Sequence, residues 1–301
     1  MRNLNTEVKA LFDEQLLSWP LAKNNFEGLK TVKTRTFNFE NYAVTVQFNP
    51  ARIVSSGAKV DAKTIAERKC FLCAENRPAE QNAVDAGNYW VLVNPFPIFP
   101  EHFTITHKQH IPQQINAYFS DMLELSKAMS DYVLFYNGPR CGASAPDHMH
   151  FQAGTKDFLP LVSDYARMKE QHAELMVETL KSKLYQLKNY GRELFVLESD
   201  DSDALLDAFA KLYSFFASRI ETDDEPMMNI VCSYSEEGWQ VMFLARKAFR
   251  PWQYTAENDD ERLLVSPATV EMSGMFITPI EAHFEKITAA DVQNIFEQTS
   301  F

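Results

Sequence analysis

In the run KTRTFNFENYAVTVQFNPARIV, residues 33–54, apolar and polar side chains alternate. Successive side chains of a strand point to opposite faces, so a period of two specifies half-buried strands, here with Asn41 in the turn between them. Similar runs follow. NYWVLVNPFPIFP reads as a strand breaking into a proline-rich turn, HFTITHKQHIP as a second strand, and YVLFYN and HMHFQA as two more. Between them Ile115, Phe119, Met122, Leu123, Leu125 and Met129 have the spacing of a buried helical stripe over residues 113–131. A further helix over residues 4–18, stopping near Pro20, precedes them. The first half thus reads as an antiparallel-leaning sheet with a helix packed on it.

After Gly154 the pattern shifts. SDYARMKEQHAELMVETLKSKL reads as helix and YQLKNYGRELFVLES as paired strands. DDSDALLDAFAKLYSFFASRI is a helix capped by Asp or Ser. MMNIVCSYSEEGWQVMFLARK is a hairpin around Glu237-Gly238, and TAADVQNIFEQTSF a last helix with a Thr288…Asp291 capping box. The acidic stretches ESDDSDA and ETDDEP, near 198–204 and at 221–226, read as solvated turns. The strand–helix order recurs loosely, so the chain is expected to be α+β with two related halves, residues 1–155 and 156–301.

The 301 residues are enough for one large domain or two moderate ones, and 23 Phe can fill a sizeable core. A net charge of −12 argues against a surface that tracks nucleic acid or anionic membranes, so an anionic substrate needs a local pocket set against the global field. The N-terminal stretch carries acids and lacks the apolar core of a signal peptide, and no apolar run is long enough to span a bilayer. With 4 Cys, too few for a disulfide scaffold, the expectation is a cytoplasmic protein with reduced thiols.

Residues 137–154, NGPRCGASAPDHMHFQAG, hold the densest chemistry. His148, His150 and Gln152 fall two apart, on one face if the segment is extended. Satisfied half-buried histidines are the bland reading. The sharper one starts from the imidazole, which attacks phosphorus well when a backbone carbonyl fixes one ring nitrogen as N–H and leaves the other its lone pair. A same-face neighbour can then bond the phosphoryl oxygens. A glutamine amide cannot protonate a leaving group, so Gln152 suits a leaving group that is already a good anion, such as a sugar phosphate or pyrophosphate. The preceding loop fits an anion: Gly138 and Gly142 let backbone N–H groups converge, Arg140 offers a planar fork and Ser144 a hydroxyl.

Cys70-x-x-Cys73, in CFLCAENRPAEQ, sits in a polar loop. In a reducing compartment it is metal-binding or redox-active, or simply two buried free thiols. His110, in THKQHIPQ, and His148 would complete a Cys₂His₂ set, which closes a structural zinc site with no open position. Cys141 and Cys232 read as small core or loop residues, His172 and His283 as surface.

These residues resemble a family. PIFPEHFTITHKQHIPQQI is similar to the segment of histidine-triad proteins in which a strand ends in a basic turn. GASAPDHMHFQ and CFLCAENR resemble the His-x-His-x-Gln site and the zinc loop of the galactose-1-phosphate uridylyltransferase branch of that superfamily, which also holds diadenosine tetraphosphate phosphorylases. LLVSPATVEMSGMFIT resembles the Pro…Glu-x-Ser-Gly stretch of GDP-hexose phosphorylases. The resemblance implies two fused histidine-triad-like halves, each an antiparallel sheet with packed helices. The catalytic set would be His150 as nucleophile with Gln152 and His148, the first stabilising the nucleotidyl intermediate. Asn137, Gly138, Arg140, Gly142 and Ser144 would bind substrate, and Cys70, Cys73, His110 and His148 zinc.

The expected function is a nucleotidyltransferase or phosphorylase acting on a nucleoside diphosphate sugar, with phosphate or a sugar phosphate as second substrate and a homodimer as a compatible assembly. The alternatives are a dinucleoside polyphosphate phosphorylase or hydrolase, and a nucleotide-binding protein without turnover.

Overall fold

The computed structural model describes residues 3–58, 60–219 and 225–301. In chain order the elements of the N-terminal part are α1 (Leu4–Ser18), α2 (Pro20–Leu29), β1 (Lys33–Asn38), β2 (Ala43–Phe48), α3 (Ile53–Ser56), α4 (Ala62–Glu67), β3 (Ala83–Ala86), β4 (Tyr89–Val93), β5 (His102–His107), α5 (Phe119–Ala128), β6 (Tyr132–Asn137) and β7 (His150–Thr155). They are followed by α6 (Pro160–His172), β8 (Ala173–Glu178), β9 (Ser182–Leu187), β10 (Leu194–Ser199), α7 (Ser202–Ala217), β11 (Met228–Ser235), β12 (Gly238–Ala245), α8 (Thr269–Met272), β13 (Met275–Thr278), α9 (Glu281–Lys286) and α10 (Ala289–Thr299).

Ten strands form one sheet in the order β3-β4-β5-β7-β6-β11-β12-β10-β9-β8. Every neighbouring pair is antiparallel. The order repeats across the β6–β11 junction: three strands, a helix, then a hairpin whose first strand lies innermost. Leu134 pairs with Cys232 there, so the two halves share one continuous sheet. The halves differ in their last hairpin. β11 and β12 are joined by a tight turn, with Gly238 at φ 106, whereas β6 and β7 are joined by the long loop 138–149.

One sheet face is covered by α1, α2, α5 and α7, burying a cluster that includes Phe12, Phe103, Phe151, Phe209 and Phe243. The other carries α6, α10 and a second sheet, β1-β2-β13, in which β13 runs parallel to β2. Phe135, Val231 and Met242 point into that second layer. Gln152 pairs across from Phe135 and from Thr104, so the candidate residues of β7 share this face.

Several sequence expectations are corrected. Pro20 opens a helix rather than merely ending one, because the first helical position needs no N–H. The helix expected over 113–131 begins only at Phe119. The helix expected over 163–184 ends at His172; Ala173–Glu178 is instead the edge strand β8, paired with β9. His283 is buried, its Nδ1 accepting from Leu264 N at 3.0 Å, while His172 is half-exposed. Of the acidic stretch at 221–226, residues 221–224 lie outside the described residues. Glu225 is buried, not solvated, and accepts hydrogen bonds from Ile115 N and Tyr136 Oη. Asp201 caps α7 by accepting from Ala204 N at 2.9 Å, and Thr288 and Asp291 form the capping box of α10.

Candidate active site

β7 begins at His150, so His148 lies in the turn before it and the two rings serve different surroundings. His150 Nδ1 lies 2.8 Å from the carbonyl oxygen of His148. That carbonyl can only accept, so Nδ1 carries the proton and Nε2 keeps its lone pair. Burial pushes the His150 pKa down to about 4, which keeps the ring neutral near pH 7.

Next along the face, Gln152 Oε1 lies 2.9 Å from His102 Nε2. His102 Nδ1 accepts from Ile98 N at 3.2 Å, so its Nε2 must be the donor. His102 is fully buried between Phe99 and Phe135, and burial pulls its pKa to about 3. The neutral donor fixes which way the Gln152 amide faces: its oxygen toward His102, its NH₂ away.

Loop 138–149 is held from both sides. Gly142 has φ 98, and a Cβ there would lie 2.3 Å from the Cβ of Ala268. Gly138 donates to Met228 O at 3.3 Å, so its N–H is taken and does not join an anion nest. Asn137 Oδ1 accepts from Thr269 N, Thr269 Oγ1 and Asn229 Nδ2 at 2.8, 2.7 and 3.2 Å. Ser144 is half-buried in the loop. Arg140 is exposed and makes no hydrogen bond or ion pair among the described residues.

Beside the loop, ligand atoms of Cys70, Cys73, His110 and His148 all lie within 4.8 Å of one another, a cluster that can hold a metal ion. His148 Nδ1 is 3.3 Å from Cys70 Sγ and 3.5 Å from Cys73 Sγ, and His110 Nδ1 is 3.3 Å from Cys73 Sγ. His148 Nε2 donates to His107 O at 2.8 Å, which leaves Nδ1 unprotonated toward the sulfurs. Burial, and then Cys70, push the Cys73 thiol up to about 11, so a thiolate here needs a cation beside it.

Two family models cover most of the chain. Residues 11–155 match a domain of unknown function, DUF4922, and residues 166–301 match the GDPGP1-like C-terminal domain. The galactose-1-phosphate uridylyltransferase of Staphylococcus saprophyticus is 26% identical over 199 residues, which cover 56% of this chain and 38% of that one. The chain thus spans about four-tenths of the length of that curated relative. In fold, it matches yeast Ap4A phosphorylase Apa2 in complex with Ap4A with a TM-score of 0.64 at 15% identity, over 98% of this chain and 97% of that one. The same protein in complex with AMP matches at 0.64 and 17%, over 100% and 97%. Residues 166–301 thus form a GDPGP1-like C-terminal domain, and the chain as a whole shares its fold with yeast Ap4A phosphorylase.

The structure also assembles residues that the sequence did not single out. Gln113, before α5, clamps the point where β6 and β7 diverge around the loop. Its Oε1 accepts from His150 N at 2.8 Å, and its Nε2 donates to His150 O at 2.9 Å and Asn137 O at 3.0 Å. Asn229 joins Asn137 to the buried Arg246, whose Nη1 donates to Asn229 Oδ1 at 2.7 Å. The same Nη1 donates to Pro267 O, Nε to Thr299 O, and Nη2 to the carbonyls of Ala248 and Phe249.

Arg52 enters from the other side. Its Nη1 donates to Phe96 O at 2.7 Å, and its Nε is buried without a partner. Burial lowers the Arg52 pKa to about 10, and its charge acts on both His102 and the buried Glu271. A cation with so few partners suits an anion brought by a ligand. No local pattern marks Arg52 or Gln113; both are recruited by contacts distant in sequence.

Proposed function

We propose that this protein transfers a nucleotidyl group from a nucleoside diphosphate sugar, through a covalent intermediate on His150, to inorganic phosphate or a sugar phosphate. The observation that carries the reading is the His150 tautomer: Nδ1–H on the His148 carbonyl, Nε2 free in a neutral ring. In the first step Nε2 attacks the α-phosphorus, an N–P bond forms and the P–O bond to the sugar phosphate breaks. The leaving group departs as an anion that needs no proton, consistent with a glutamine at position 152. In the second step a phosphate oxygen of the acceptor attacks the same phosphorus and the P–N bond breaks, freeing His150. Two in-line displacements give net retention at phosphorus.

In this reading the Gln152 NH₂, the remaining loop amides, Ser144 and Arg140 spread charge over the phosphoryl oxygens, and Arg52 meets the distal phosphate. The cluster of Cys70, Cys73, His110 and His148 holds zinc. Zinc–ligand bonds of about 2.0–2.3 Å place tetrahedral donors roughly 3.3–3.8 Å apart, and the three sulfur–nitrogen contacts, at 3.3, 3.3 and 3.5 Å, fall within that range. Such a site has a structural role, pinning the Cys loop to the turn that carries His148.

The GDPGP1-like match of residues 166–301 supports a nucleotide sugar. The whole-length fold match to yeast Ap4A phosphorylase supports a second reading, phosphorolysis of a dinucleoside polyphosphate. One experiment separates them. The protein is incubated with α-³²P-labelled nucleoside diphosphate sugars and, in parallel, dinucleoside polyphosphates, with and without phosphate. An acid-labile label on His150 from the sugar substrate, discharged by phosphate, is expected. Labelling only by the polyphosphate would select the second reading. Near-wild-type turnover by His150→Gly would end the covalent mechanism, and no labelling or turnover with either class would favour a binding protein.

A further inference from the structure

The repeated strand order gives each half an equivalent surface beside its helix. In the N-terminal half α1 lies over β3 and β4, with Val8, Leu11 and Phe12 buried and Gln15 Nε2 bonded to Glu80 O at 2.9 Å. In the C-terminal half the equivalent face, beside α7 and over β8 to β10, has no such covering helix among the described residues. An apolar groove of about 670 Å³ lies there instead, floored by Leu184, Phe195 and Leu197. The exposed apolar side chains concentrate at the same place. Met176, Val177 and Phe215 are 47, 51 and 47% exposed, and Leu180, at the tip of the β8–β9 hairpin, is fully exposed. A contiguous apolar surface of this kind marks a docking site.

We propose that a second copy of this chain covers the groove, through an isologous contact in which the two α7 helices lie antiparallel. The helix supplies the complementarity. Ala204, Asp207, Ala208, Lys211 and Phe215 fall on one face and line the groove. Asp207 and Lys211 are exposed, with no ion pair within their own chain among the described residues. A two-fold axis level with Phe209 sets Asp207 of each copy against Lys211 of the other, making two ion pairs from one surface. Ala204 and Ala208 leave room for close approach.

Strand addition at the sheet edge is disfavoured by contrast. β8 carries a bulge between Leu175 and Val177, and an antiparallel β8–β8 pair would oppose Glu174 and Glu178. Those two acids are already paired with Lys188 and Lys183 of β9.

The test is sedimentation velocity on the full chain over a concentration series. Wild type is expected to run as a dimer. Asp207→Lys and Lys211→Asp should each raise the dissociation constant about tenfold, because each sets like charges together at both symmetric contacts. An equimolar mixture of the two single variants should return to the wild-type constant, since every contact again pairs opposite charges. That recovery distinguishes a two-fold α7 contact from damage to the fold. Leu180→Glu should yield monomer. A wild type that stays monomeric at its highest soluble concentration, or single variants that dimerise as tightly as wild type, would overturn the proposal.

Discussion

His102 Nε2 donates to Gln152 Oε1 at 2.9 Å, across 50 residues of chain and between neighbouring strands. The bond turns the Gln152 NH₂ away from His102, and in the proposed reaction that group meets a phosphoryl oxygen. His102→Leu is therefore expected to lower kcat by about 10–100-fold with KM changed little, because a freed amide loses a bond formed mainly in the transition state. In a cycle with Gln152→Ala, the double variant should be no slower than Gln152→Ala alone. Additive losses would mean that His102 does not act through Gln152.

Protein purified without chelator should contain about one zinc per chain, read by metal analysis. Cys70→Ser and His110→Ala should each lose the metal and lower the melting temperature. His148→Ala should also lose activity, since the lost ring anchors the turn whose carbonyl orients His150. Metal-free protein with an unchanged melting curve would show that the four residues hold no ion.

Gly142→Ala places a Cβ 2.3 Å from that of Ala268 at a backbone φ of 98. Relief requires the loop to move, so a stability loss of about 2–4 kcal/mol is expected in chemical denaturation. Turnover should fall at least in proportion. An alanine variant with wild-type stability and activity would show that the loop is not held against Ala268 in solution.

Glu225 sets a pH dependence. Burial raises its pKa from the ordinary value to about 7, against hydrogen bonds from Tyr136, Ile115 and Asn116 that favour the charged form. A raised folded-state pKa means that the folded protein holds this proton more tightly than the unfolded chain. Its contribution is complete below about pH 4.5 and is lost as pH rises through about 7, for a total of about 2–4 kcal/mol. The stability advantage of wild type over Glu225→Gln should therefore shrink between pH 5 and 8. A difference that stays flat over this range would place the titration elsewhere.

Local residue types marked much of the candidate site. Cys70-x-x-Cys73 and the spacing of His148, His150 and Gln152 are chemically unusual over a few positions, so they stand out before any fold is known. Period-two alternation likewise located β1, β2, β4 and β5, and the Thr288–Asp291 pair marked the start of α10, because pleating and capping act within a few residues. Strand β8 was not legible. Its run Glu174-Leu175-Met176-Val177 extends the helical spacing of α6, and only pairing with β9 decides otherwise. His102, Gln113, Asn229 and Arg52 were silent for a related reason. Each acts through a partner 24 to 92 residues away, as in Gln113 with Asn137, Asn229 with Asn137 and Arg52 with Phe96. A side chain's own chemistry determines what it can donate or accept. Which partner it meets, which imidazole nitrogen keeps its proton and which amide face turns to the cleft are settled by the packing of distant strands into one sheet.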